Sequence, residues 1–118
     1  MSIRYEEEIE LRPINFQREI NLDNYALRHN NSVKPLNEFK AHLKGKKEWQ
    51  SSKDIVDYFG AQKVRTIGTN RLRFEIGGNN HRMVIKYAFT EKKIWFWLMW
   101  IGTKDESTKV DLEVVDMF

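Results

Sequence analysis

The chain has 118 residues, of which 20 are Lys or Arg and 17 are Asp or Glu, so its formal net charge is +3. This length suits one domain with one hydrophobic core, and the absence of cysteine excludes disulfides, thiolate metal sites and a cysteine nucleophile. No apolar run approaches the ~20 residues of a membrane-spanning helix, and the acidic N-terminus lacks the apolar stretch of a signal peptide, so a cytoplasmic protein is expected.

Charge is unevenly distributed along the chain. Residues 1–23 contain three arginines and six acidic residues, which leaves the rest of the chain strongly basic. We interpret residues 1–14 as an acidic N-terminal extension and residues 15–118 as a single domain. A basic domain suggests an anionic partner, although many small domains reach a similar charge with no role in nucleic-acid binding.

Helices are predicted in the first half of the chain. A short strand is expected within residues 15–20 and a short helix within residues 23–28. A second helix follows Pro35, because apolar residues then recur at helical spacing. Ser51 and Asp54 have the spacing of a capping box, which predicts the start of a third helix.

Strands are predicted in the second half. A short strand near Val64 precedes three longer ones between Asn70 and Thr103, and residues 77–80 (GGNN) form a turn between the first two of these. Residues 94–101 are apolar at every position, which is typical of a central strand covered on both faces. Early helices followed by an antiparallel meander indicate an α+β fold.

Helical and alternating spacing also predicts the hydrophobic core. Its expected members are Leu36, Phe39, Leu43, Ile55, Phe59, Leu72, Phe74, Ile76, Met83, Ile85, Ile94, Phe96, Leu98 and Trp100.

The aromatic side chains of the predicted strands have more surface than a sheet with helices on one face can easily bury. We therefore expect a partner to cover part of the sheet surface. The residues concerned are Tyr87, Trp95, Trp97 and Trp100.

Cations line the other face of the predicted sheet. Arg71 and Arg73 alternate on one strand, Arg82 and Lys86 on the next, and Lys104 directly follows the central strand. Such a set can hold phosphates and stabilise the charge of a phosphorane, while the 2′-OH of RNA supplies the nucleophile. Taken one at a time, each cation is more often a solvated surface charge than a functional group.

Other chemistries have little support. His29, His42 and His81 are widely spaced and fit no metal-ligand pattern. There is no Walker loop, serine-nucleophile motif or evident carboxylate pair. We therefore expect neither a metal nor another cofactor.

Several motifs in a fixed order suggest a family. Residues 78–86 (GNNHRMVIK) look like the GNxxRLVVK strand of HigB toxins, residues 101–103 match their closing IGT, and Pro35 opens the corresponding helix. From about Pro35 to Asp111 the chain resembles the HigB family of bacterial toxins, within the RelE/ParE superfamily. The resemblance implies a small twisted antiparallel sheet with two or three helices packed on one face. It also implies a ribosome-dependent mRNA endonuclease that is neutralised by a helix-turn-helix antitoxin.

One departure from the family bears on activity. After IGT the family usually continues HAEYDK, but here Lys104 occupies the position of the His and Ser107 that of the Tyr, while Arg82 and Lys109 keep their positions. Either Lys104 takes over proton transfer or activity is reduced or lost. A toxin that poisons DNA gyrase, as ParE does, and a degenerate module that only binds RNA or an antitoxin remain alternatives.

Site residues are assigned on this basis. His81 could act as a base, although its place at a turn end favours an exposed histidine. The expected catalytic residues are Arg82, Lys104 and Arg71, and the expected RNA-binding residues are Arg73, Lys86, Lys109, Arg65 and His81.

Overall fold

Six strands and four helices follow one another in residues 10–118, the part of the chain that the structure, a computed structural model, describes. They are β1 (Arg12–Gln17), α1 (Ile20–Arg28), α2 (Val33–His42), β2 (Lys46–Lys47), α3 (Ser52–Phe59), β3 (Val64–Ile67), β4 (Arg71–Ile76), β5 (His81–Phe89), β6 (Ile94–Thr103) and α4 (Lys104–Ser107). A 3₁₀ turn at Asn30–Ser32 precedes α2. Of the expected extension, residues 1–9 lie outside the described residues and residues 12–14 belong to β1.

The strands form one mixed sheet in the order β2-β1-β6-β5-β4-β3. The α+β class is confirmed, and all pairs are antiparallel except β1 with β6, which run parallel. The strand expected within residues 15–20 begins earlier and ends at Gln17, because Arg18 has a φ of 69°. Strand β6 lies between β1 and β5, which explains its apolar sequence.

One face of the sheet packs against α1, α2 and α3. Most of the predicted core is confirmed, with Leu43 and Phe59 only partly buried against it. Leu22, Tyr25 and Trp49 also belong to this core, although the spacing of apolar residues in their segments did not predict their burial. The interface is rich in edge-on aromatic pairs, such as Phe39 with Phe74, whose ring centroids are 5.1 Å apart.

The third helix begins where predicted, but its cap differs. The hydroxyl of Ser51 makes no capping hydrogen bond. The carboxylate of Asp54 instead accepts a hydrogen bond of 2.7 Å from the backbone N–H of Gln50. Because Gln50 precedes the N-cap residue Ser51, neither hydrogen bond of the expected capping box forms, but the Asp54 carboxylate still stabilises this end of the helix.

A β-bulge at Met99 divides β6 between the two faces. Ile85 pairs with Leu98 and Val84 with Trp100, so Met99 is the extra residue. Trp100 is buried, as predicted for a member of the core, but not on the face that packs against the helices. The bulge shifts the alternation by one residue, and Trp100 packs with Val84 and Met99 on the opposite face.

The C-terminal segment, residues 108–118, covers part of this opposite face. Val84, Met99 and Trp100 form a second apolar cluster, and the side chains of Val110, Leu112 and Val115 pack on it. The N–H of Met117 donates to the carbonyl of Met99 at 2.8 Å. The guanidinium of Arg71 donates to the carbonyls of Leu112 and Val115 at 3.2 and 2.7 Å. The predicted excess of aromatic surface is thus partly hidden by the chain itself.

No helix within residues 10–118 combines the length and the apolar character needed to cross a bilayer.

Gly102 should not tolerate a side chain. A Cβ there would lie 2.5 Å from Cη2 of Trp100 and 2.8 Å from Oε1 of Glu106. Alanine in a strand normally gains about 0.5–1 kcal/mol over glycine, but overpacking costs roughly 1–3 kcal/mol, so Gly102→Ala should lower the thermal midpoint. Adding Trp100→Leu should recover part of the loss. A Gly102→Ala protein as stable as the parent would contradict this packing.

Arg71→Met should release the C-terminal segment. Methionine keeps the unbranched apolar stem of the side chain but loses both carbonyl hydrogen bonds, which should lower the free energy of unfolding by roughly 1.5–3 kcal/mol in urea titrations. Lys86→Met is the matched control, because Lys86 is an exposed cation beside Arg71 on the same face. Equal losses in both variants would show that Arg71 is not an anchor.

Candidate functional site

Three arginines from neighbouring strands meet on the sheet face opposite the helices. Arg65 on β3 lies directly across from Arg73 on β4, and Glu75 on β4 lies across from Arg82 on β5. The carboxylate of Glu75 is 3.0 Å from the Arg73 guanidinium and 3.8 Å from that of Arg82. We call Arg65, Arg73 and Arg82 the arginine cluster.

Positive charge exceeds negative charge in this cluster. Arg73 and Arg82 share one carboxylate, and Arg65 lies across from Arg73. Burial, followed by the charges of Arg65 and Arg82, lowers the pKa of Arg73 below its usual range. The Nε of Arg73 is buried and has no hydrogen-bond partner in the described protein. A phosphate bound from the open side of the cluster would supply the missing negative charge, and guanidinium groups grip phosphates bidentately.

The turn between β4 and β5 brings Arg82 close to the start of α4. Arg82 is 7% exposed, and its guanidinium donates to the carbonyl of Asn79 at 3.1 Å. The backbone N–H of Lys104 donates to the next carbonyl, that of Asn80, at 2.9 Å. The side chain of Lys104 is exposed. The same turn therefore holds Arg82 and Lys104, two of the three expected catalytic residues.

A capping box fixes α4. The N–H of Thr103 donates to Glu106 at 2.8 Å, and the N–H of Glu106 donates to the hydroxyl of Thr103 at 3.1 Å. Sequence reasoning missed this box, although Thr103 and Glu106 have the required spacing. Ser107, at the position of the family Tyr, donates its hydroxyl to the carbonyl of Lys104 at 2.6 Å.

The remaining cations are spread over the same face. Lys109 is exposed just after α4, and Lys86 is exposed farther along β5, opposite Trp97. Arg71 is 8% exposed and directs its guanidinium to the C-terminal segment. The structure thus brings Arg65, Arg73 and Arg82 together and leaves the other cations separate.

His81 lies on the helix side of the sheet, although it neighbours Arg82 in sequence. It is 2% exposed, so the expectation of an exposed histidine is wrong. The hydroxyl of Tyr25 is 2.8 Å from its Nδ1, and Oδ1 of Asn31 is 3.0 Å from its Nε2. The Asn31 oxygen can only accept, so Nε2 carries the proton and Nδ1 accepts from the Tyr25 hydroxyl.

Burial shifts the pKa values of both His81 and its hydrogen-bond partner Tyr25. It lowers the pKa of His81, with a further contribution from His29, whose ring centroid is 6.0 Å away. Burial, with a smaller contribution from Glu106, raises the pKa of Tyr25 to about 12. His81 is therefore a neutral, hydrogen-bonded part of the interior. Within residues 10–118 no group of three His, Asp or Glu side chains could hold a metal ion.

Comparison with known proteins gave one match. A family model described as HigB_toxin, the RelE-like toxic component of a toxin-antitoxin system, matches residues 32–110, about two thirds of the chain. The match begins just before α2 and ends at Val110, so it contains the arginine cluster and α4. Searches of curated proteins and of solved structures found no significant match.

Stability should fall on mild acidification because of His81. Its pKa is lower in the folded protein, so the unfolded chain takes up the proton first as pH falls through about 6.5. Unfolding free energy should therefore decrease from pH 7.5 to 5.5, by at most about 1.4 kcal/mol per pH unit for this group. His81→Gln should flatten the slope, whereas His42→Gln, at an exposed site, should not. Parallel slopes for all three proteins would contradict the assignment.

Proposed function

The chain belongs to the HigB family of RelE-like toxins, and from this membership we propose that it is a ribosome-dependent mRNA endonuclease that inhibits translation in the cytoplasm. The observation that carries the proposal is the arginine cluster, where Arg73 and Arg82 share one carboxylate and Arg65 lies across from Arg73. A surplus of oriented cations suits a phosphodiester and the extra negative charge of its transition state.

The reaction is cleavage by the RNA itself. The 2′-oxygen attacks the adjacent phosphorus, the bond to the 5′-oxygen breaks, and the products are a 2′,3′-cyclic phosphate and a 5′-hydroxyl. The attacking hydroxyl loses a proton and the leaving oxygen gains one, so the balance requires a base and an acid but no water. The protein has to orient the strand in line, carry these protons and neutralise the phosphorane.

Arg82 and Arg73 hold the scissile phosphate in this proposal. Arg82 is fixed between Glu75 and the carbonyl of Asn79, so its direction is set before substrate binds. Arg65 is exposed at the edge of the cluster and contacts a neighbouring phosphate. Arg71 acts indirectly, by holding the C-terminal segment next to the site.

Lys104 is the proposed proton carrier. A lysine ammonium is charged at neutral pH unless neighbours depress its pKa, which favours donation to the leaving 5′-oxygen. Lys109 and Lys86 are exposed and supply longer-range attraction for the RNA backbone. A toxin of this family works with an antitoxin, and a helix-turn-helix protein encoded beside it is the proposed partner.

One observation favours a second candidate, a catalytically degenerate toxin that binds RNA or antitoxin without cleaving. The family His and Tyr are replaced by Lys104 and Ser107, and the Ser107 hydroxyl is bonded to a backbone carbonyl of its own helix. In that case the arginine cluster would bind RNA but no cleavage product would form.

Substitutions at Arg82 and Lys104 test the proposal. In a translation extract, with primer extension on the mRNA, Arg82→Ala should slow cleavage roughly 10²–10³-fold, as loss of an oxyanion donor does. Lys104→Ala should slow it about 10²–10⁴-fold, as loss of an acid or base does. Lys104→His should retain activity, because imidazole titrates near neutral pH.

Lys53→Ala is the control, because Lys53 is an exposed cation on α3 that forms an ion pair with Asp57 at 2.7 Å. It should cleave like the parent. A Lys104→Ala protein with parental activity would remove Lys104 from the chemistry. RNA binding without cleavage by the parent would favour the degenerate toxin, and inhibited supercoiling would favour a gyrase poison.

A further inference from the structure

Two tryptophans remain open on the sheet face that carries the arginine cluster. Trp95 and Trp97 alternate on β6, and their rings are stacked, with centroids 5.7 Å apart and planes 11° from parallel. Both are only half-buried, whereas the other two tryptophans, Trp49 and Trp100, are buried. Large stacked rings left on an open sheet face usually have a partner.

Polar and small side chains surround the pair. Asn15 and Gln17 of β1 lie beside Trp95 and Trp97, and Ala88 and Lys86 of β5 lie on their other side. The side-chain NH₂ of Gln17 donates to the side-chain oxygen of Asn15, so both amide groups lie on this face next to the rings.

Cations accompany the rings. The Nζ of Lys93 is 5.6 Å from the ring centroid of Trp95, and exposed Lys86 lies across from Trp97. Glu91, in the turn between β5 and β6, is the nearest acidic residue in sequence and is exposed. We call Trp95, Trp97, Asn15, Gln17, Lys86 and Lys93 the tryptophan platform.

The C-terminal segment separates this platform from the arginine cluster. It packs on the cluster of Val84, Met99 and Trp100, which Trp97 also touches and which does not include Trp95. Along β5, Arg82 and Ala88 are six residues apart, which is about 20 Å at the rise of a strand. An extended strand of a few nucleotides can bridge that distance around the segment.

We propose that the tryptophan platform binds single-stranded RNA through its bases and extends the RNA contact beyond the scissile phosphate. The inference rests on the proposed function for the identity of the ligand. Aromatic rings on a sheet face are a recurring means of holding unstacked bases, because every base has a π-face. Lysines then contact the phosphates, and the amide groups of Asn15 and Gln17 can hydrogen-bond to base edges. An apolar protein helix would gain nothing from these lysines and amides.

The probe is a short unstructured oligouridine RNA added to the full chain without ribosomes. The four tryptophans should give four indole N–H signals in a proton–nitrogen spectrum, assigned with Trp95→Phe and Trp97→Phe. RNA should shift the signals of Trp95 and Trp97 and leave that of Trp49, which is buried on the other face, unchanged. Signals of Trp95 and Trp97 that stay in place at saturating RNA would overturn the proposal.

Affinity measurements give an independent readout. Trp95→Ala with Trp97→Ala should raise Kd at least about tenfold, because each base–aromatic stack contributes a factor of this order or more. The two Phe replacements should keep most of the affinity. Tyr58→Ala is the matched control, because Tyr58 is an exposed aromatic residue on α3. An unchanged Kd in the double Ala variant would overturn the proposal.

Cleavage assays separate this proposal from the proposed function. If the parent cleaves mRNA but the double Ala variant binds RNA normally, the platform is wrong and the endonuclease stands. If RNA shifts the Trp95 and Trp97 signals but no cleavage occurs, the platform stands and the endonuclease is wrong. Indole signals that move with an antitoxin and not with RNA would assign the platform to a protein partner and contradict an RNA site.

Discussion

The pairing of β5 with β6, interrupted by one bulge at Met99, determines which side chains reach each face of the sheet. Before the bulge, Ile94, Phe96 and Leu98 point to the helices; after it, Trp100 points away from them. The C-terminal segment covers the apolar cluster that Trp100 forms there with Val84 and Met99. The same ladder places Arg82 beside Gly102 and His81 beside Thr103, so the end of the sheet presents a cation on one face and a neutral imidazole on the other.

Arginines serve two purposes in this small domain, and the charge around each distinguishes them. Arg71 donates to two carbonyls, and Arg12 donates to the carbonyls of Thr90 and Trp49 at 2.6 and 2.7 Å, so both stabilise the fold. Arg73 and Arg82 instead share one carboxylate, with Arg65 across from Arg73. Several cations that share one carboxylate leave net positive charge at this face of the sheet, which suits an anionic ligand.

Local patterns in the sequence were sufficient for the elements but not for contacts between distant segments. Alternation in residues 71–76 identified β4 and its buried side, and helical spacing located α2. The bulge at Met99 could not be foreseen, because residues 94–101 are apolar at every position and any register hides them. Arg71 and Arg73 have equivalent spacing, and only a contact 41 residues away in sequence makes the first an anchor. His81 is buried because α1 packs over it, and nothing in the sequence around His81 predicts that contact.

In the proposed reaction the arginine cluster holds a phosphodiester while the 2′-oxygen of the same RNA attacks it. An mRNA carrying one 2′-deoxy nucleotide at the mapped cleavage site, translated in the presence of the parent protein, tests this reaction. We expect this mRNA to stay intact at that site, while the all-ribose mRNA is cut there and leaves a 2′,3′-cyclic phosphate. Equal cleavage of both mRNAs, or a 5′-phosphate on the downstream product, would contradict it.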